Sequence, residues 1–182
     1  MRSTFLVFFT FFLFFNCTSE EVIQDSVEVK FNLINQEGII TTEFENSTQP
    51  IFSLQISNNS NVDIDLVSHN LNDEDVFKVF SIKELNQNSE PLSFGKPFKN
   101  AGCEYIGGYP INSDETFNVT VPWIPKESDY ENYPSILCNY NFDNDSLPQG
   151  VYTTSLDLQF SFQNNGNTIS KSIQKEITFS IK

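Results

Sequence analysis

Histidine occurs once in this 182-residue chain, at His69, and cysteine three times, at Cys17, Cys103 and Cys138. A zinc centre of clustered Cys and His is excluded by that scarcity. A dithiol redox centre is excluded as well, because the thiols stand far apart and lack the C-x-x-C spacing. Basic residues are few: 10 Lys and Arg face 24 Asp and Glu, for a formal net charge of −14. Phosphate binding needs a basic face, so no nucleic-acid partner is expected, and anionic headgroups would repel the same body. Also missing is an apolar run of the roughly 20 residues that a membrane-spanning helix needs. No motif for a cofactor, a metal or catalysis stands out from the rest, and none of the three is expected.

What is present begins at the N-terminus. Arg2 is followed by an apolar stretch over residues 5–15, broken only by Thr10 and containing seven Phe. One cation ahead of an apolar run of this length is the layout of an export signal. Phe14, Phe15, Asn16 and Cys17 resemble the lipobox of bacterial lipoproteins, whose cysteine is acylated after cleavage. The polar and acidic residues Thr18, Ser19, Glu20 and Glu21 are similar to the tether that follows the lipidated cysteine in surface-exported lipoproteins of the Bacteroidota. The resemblance implies a cleaved signal peptide over residues 1–16, a lipidated acidic tether over 17–26 and an outer-membrane or surface location. With Cys17 given to lipid, Cys103 and Cys138 remain, and two thiols left over in an oxidising compartment are expected to bridge. Closing a loop of that size stabilises by about 3–4 kcal/mol in the chain-entropy description.

Residues 27–182 are long enough for one domain with a real core. Its periodicity is that of strands. Tyr152, Thr154, Leu156, Leu158, Phe160 and Phe162 alternate with polar residues, so one face meets a core and the other water. Asn164 to Asn167 supply a hairpin turn into a second long strand over residues 168–181. Lys171 and Lys175 interrupt the apolar face of that strand, which suits a sheet edge. Shorter strands are expected over residues 27–34, 39–44, 51–57, 62–67, 76–82 and 116–121, with polar turn signals between them. About eight strands and no helical period define an all-β, antiparallel sandwich.

Leu147, Pro148, Gly150 and Tyr152 resemble the corner before the penultimate strand of immunoglobulin-like domains. In that corner the glycine permits a tight turn and the tyrosine hydroxyl returns to a backbone group. Phe52, Leu54, Ile56, Asn58 and Ser60, then Asp63 to Leu66, Val76 to Phe80 and Pro148 to Tyr152, resemble the layout of BsuPI-like proteinase inhibitors over most of residues 50–162. The resemblance implies an immunoglobulin-like sandwich.

Two irregular stretches, residues 98–114 and 122–149, exceed what simple connections need. They hold Tyr105, Tyr109, Trp123, Tyr130, Tyr133 and Tyr140, which are the only tryptophan and five of the six tyrosines. Wide amphipathic rings stack on sugars and anchor protein partners, yet the same rings also serve to cover the ends of a sandwich. Residues 136–140 suit an added edge strand. Ser68 beside His69 lacks a nucleophile elbow and carries no catalysis. Asp143 and Asp145 sit in an oxygen-rich turn, where calcium stays an alternative although the EF-hand pattern fails at Leu147. The expected function is therefore non-catalytic: an outer-membrane lipoprotein that captures a protein or glycan through aromatic loops. A proteinase inhibitor and a structural subunit of an envelope complex are the alternatives.

Overall fold

A computed structural model describes residues 26–68, 70, 71, 75–85, 88, 90–99, 108–126, 129, 139, 140 and 143–182. Strands account for all the regular elements among them. In chain order these are β1 (Val27–Ile34), β2 (Glu43–Phe44), β3 (Ile51–Asn58), β4 (Ile64–Ser68), β5 (Val79–Leu85) and β6 (Pro91–Gly95), followed by β7 (Phe98–Lys99), β8 (Tyr109–Ile111), β9 (Thr116–Pro122), β10 (Asn139–Tyr140), β11 (Gly150–Asn164) and β12 (Asn167–Ile181).

The strands form an all-β sandwich. One sheet has the order β1-β3-β9, and the other runs β2-β12-β11-β4-β8, with β5 and β6 continuing from β11. β7 and β10 form a separate antiparallel pair. The frame is the β11–β12 hairpin, in register from Gly150 opposite Ile181 to Asn164 opposite Asn167. Its two-residue turn places Asn165 at φ +48° and Gly166 at φ +87°. Positive φ at both positions matches the right-handed twist of the flanking strands, and Asn-Gly tolerates it at least cost.

Alternation directs one side of each long strand into a single apolar core. Phe31 and Leu33 of β1, Phe52, Leu54 and Ile56 of β3, and Val119 and Val121 of β9 meet Leu156, Phe160 and Phe162 of β11 and Ile177, Phe179 and Ile181 of β12. Apart from its last two residues, which pair with β2, the side of β12 away from β11 has no strand partner among the described residues. Lys175 lies on that stretch and reaches across the rim to the Asn32 side-chain oxygen at 3.2 Å.

Several boundaries differ from the sequence expectation. The strand expected over 39–44 shrinks to Glu43–Phe44, because Asn35 Oδ1 accepts the N–H groups of Glu37 and Ile39 and curls the chain into a turn. Ile39 and Ile40 are left 56% and 65% exposed. β5 begins at Val79 rather than residue 76. Val76 and Phe77 are both buried, and neighbours in a plain strand point to opposite faces. Phe77 resolves this with φ +59°, which aims its ring between Phe31 at 4.9 Å and Phe52 at 5.5 Å. Finally, the two stretches expected to be irregular contain β7, β8 and β10. Of the edge strand expected over 136–140, residues 139 and 140 pair with β7 and residues 136–138 lie outside the described residues.

Candidate functional site

The two ends of the sandwich are built differently. β1 starts at Val27 opposite Asn58 and finishes at Ile34 opposite Ile51. Its eight residues, at about 3.3 Å each, separate the ends by roughly 25 Å. At the Val27 end, Asn59 N–H donates to the Ser26 carbonyl, fixing where the N-terminal segment joins the body. Asn58 is fully buried there. Its amide nitrogen donates to the carbonyls of Val62, Ile111 and Asn112, and its oxygen accepts from the Ser60 N–H and hydroxyl. Every polar atom of that side chain is satisfied, so Asn58 pins the turns at this end to one another.

The Ile34 end carries a groove of about 550 Å³. That lies within the range of about 300–1,000 Å³ typical of small-ligand sites. Three turns wall it. Gln36 comes from the turn after β1, Asn46, Ser47 and Gln49 from the turn before β3, and Lys126, Asp129 and Ser146 from the long β9–β11 connection. Ile51, Pro122, Trp123 and Ile124 form the less exposed floor.

Trp123 holds these turns together. Its backbone N–H donates to the Pro50 carbonyl, its indole Nε1 to the Asp145 carbonyl at 2.9 Å, and its own carbonyl accepts the Asn144 amide at 3.1 Å. Asn144 also donates to the Lys96 carbonyl. Gln49 completes the wall: its side-chain oxygen accepts the Leu147 N–H at 2.9 Å, joining positions 98 residues apart.

The aromatic candidates divide accordingly. Trp123 is 1% exposed and packs against Phe52 with ring centroids 6.3 Å apart, so it is a core residue under the groove and not an exposed loop anchor. Burial of the ring with its N–H satisfied is the lower free-energy arrangement for the largest amphipathic side chain. Tyr109 belongs to β8 and rests half-buried against Phe117 at 5.7 Å, bridging the two sheets at their edge. Tyr140 is a backbone partner of Phe98 in β10. Tyr105, Tyr130 and Tyr133 lie outside the described residues, as do Cys17, Cys103 and Cys138.

The corner at Gly150 and Tyr152 is tightly built. The Tyr152 hydroxyl donates to the Pro148 carbonyl at 2.6 Å, and a Cβ on Gly150 would stand 3.1 Å from that hydroxyl. Burial raises the Tyr152 pKa above its ordinary value, and the Glu84 carboxylate raises it further. In the turn of Asp143 and Asp145, the Asp145 carbonyl and the Asn144 amide are committed to Trp123. No three His, Cys, Asp or Glu side chains among the described residues are grouped to hold a metal.

Sequence reasoning missed Gln36, Asn46, Ser47, Gln49, Thr120 and Ser146. Polar residues in turns are ordinary, and only the Gln49–Leu147 clamp turns them into a wall. The chain matches no protein-family model and no curated protein.

Proposed function

We propose that this protein is a non-catalytic binding module of immunoglobulin-like type, held at the outer membrane by lipid on Cys17, with the groove as its binding site. One relationship supports the reading above all. The segment that would carry the lipid joins the body beside Ser26 and Asn59, whereas the groove opens beyond Ile51 and Pro122 at the opposite end. A tether at one end and a concave site at the other present the site to whatever passes the cell. Lipid supplies the membrane contact, since the net charge of −14 on the chain would oppose binding to anionic headgroups.

Crosslinking in cells tests this. A photoactivatable amino acid replaces Ser47 on the groove, or Asn59 at the opposite end. Both side chains are exposed. Adducts from position 47 and none from position 59 support the groove as the binding site. Absence of adducts at 47, or the same adducts from both positions, overturns it.

A further inference from the structure

We infer that the groove selects a neutral, hydroxyl-rich ligand, an oligosaccharide free of acidic groups; the inference rests on the groove being the binding site. The wall offers side-chain amides from Gln36 and Asn46 and hydroxyls from Ser47, Thr120 and Ser146, while the Gln49 amide is engaged with the backbone of Asn46 and Leu147. Amides and hydroxyls both donate and accept. Sugar hydroxyls do the same, so each can be matched from either side.

Other chemistries fit less well. Two charged residues line the groove among the described residues, Lys126 and Asp129, and they are opposite in sign. Asp129 is already spent on local structure. Its carboxylate accepts the Lys126 N–H at 2.7 Å, and its own N–H donates back to the Lys126 carbonyl. An anionic ligand would meet a single ammonium from the described lining, on a chain of net charge −14, and a cationic one a single carboxylate that already accepts the Lys126 N–H. A purely apolar ligand would strip water from the amides and hydroxyls without replacing their hydrogen bonds, at roughly 1–3 kcal/mol for each buried group. An extended peptide would need a ladder of backbone groups, whereas this wall is made of side chains. The floor of Ile51, Pro122 and Ile124 suits the C–H face of a sugar ring. Because the Trp123 ring is committed to the core, recognition by the described residues runs through hydrogen bonds rather than stacking.

Trp123 also supplies the readout, being the only tryptophan in the chain and forming part of the floor. The full chain, in detergent, is applied to an array of neutral and acidic glycans. The strongest neutral binder is then titrated while Trp123 emission is followed. Binding of a neutral glycan with a saturable change in emission is expected. The double substitution Gln36→Ala and Ser47→Ala should weaken it at least about tenfold with the melting temperature unchanged, since neither side chain is buried. Binding of acidic glycans alone, of none, or undiminished binding by the double variant overturns the inference. If position 47 crosslinks a partner in cells while no neutral glycan binds, the ligand class falls and the groove stands. If position 47 also yields nothing, both fall.

Discussion

The indole nitrogen of Trp123 and the carbonyl of Asp145 are joined by a 2.9 Å hydrogen bond across the base of the groove. This contact ties the end of β9 to the segment leading into β11, and with the Pro50 and Asn144 bonds it leaves the Trp123 backbone and ring fully engaged. Wall and core thus share one residue, so groove shape and domain stability are coupled.

Trp123→Ala should therefore destabilise the fold by about 3–5 kcal/mol, the usual cost of emptying a large aromatic site. Trp123→Phe keeps most of the packing and strands the Asp145 carbonyl, so a loss of about 1–3 kcal/mol is expected. Denaturant melts followed by circular dichroism measure both. An alanine variant as stable as the wild type would show that the ring is not a core element.

Tyr152→Phe removes only the hydroxyl that donates to Pro148 and should cost about 1–3 kcal/mol. The same hydroxyl carries a pH signature. Its folded-state pKa is raised above the ordinary value of 10.0, so the neutral form is favoured by folding. That contribution is fully present below pH 10, the unfolded value, and is lost as pH rises through the higher folded value. Comparing stability between pH 9 and 11, the wild type should decline more steeply than Tyr152→Phe. Parallel declines would mean that this hydroxyl does not titrate as described.

Thr154 is 1% exposed, and its hydroxyl has no hydrogen-bond partner among the described residues. A buried hydroxyl without a partner costs free energy that a methyl group does not. Thr154→Val should stabilise the fold by about 1 kcal/mol, read as a higher denaturant midpoint with the same slope. A lower midpoint would reveal a partner for the hydroxyl.

Cys103 and Cys138 should be linked by a disulfide in protein secreted into an oxidising compartment. Peptide mapping without reductant should recover the joined peptides, and reduction should lower the melting temperature. Recovery of both cysteines alkylated in native protein would exclude the bridge.

The long strands were legible because one physical signal, alternation of apolar and polar residues, decides them. β1 is found over the residues expected, and Tyr152 to Phe162 alternate as read, since a core on one side and water on the other leave no second solution. The signal failed where a turn was more stable than a strand: Ile39 and Ile40 look like strand residues, yet Asn35 folds the backbone before them and Gly38 follows at φ +79°. It failed again at Phe77, whose ring enters the core through a left-handed backbone that no alternation encodes. The Gly150 and Tyr152 spacing was enough to expect the hydroxyl's return to the backbone, because that contact is local. The groove was not legible. Its wall depends on Gln49 meeting Leu147 and on Trp123 reaching Asp145, pairings that exist only once the sandwich has closed.

The central claim is that lipid on Cys17 holds the body with its groove directed away from the membrane, and energy transfer measures this most directly. Acylated protein is reconstituted in vesicles containing a lipid-borne acceptor, with a fluorescent amino acid at Asn59 or at Gln36, the two ends of the sandwich. Transfer should be strong from position 59 and weak from position 36, in keeping with the roughly 25 Å spanned by β1, and Cys17→Ala should abolish both by releasing the protein. Equal transfer from the two positions, stronger transfer from position 36, or retention of Cys17→Ala on the vesicles would contradict it.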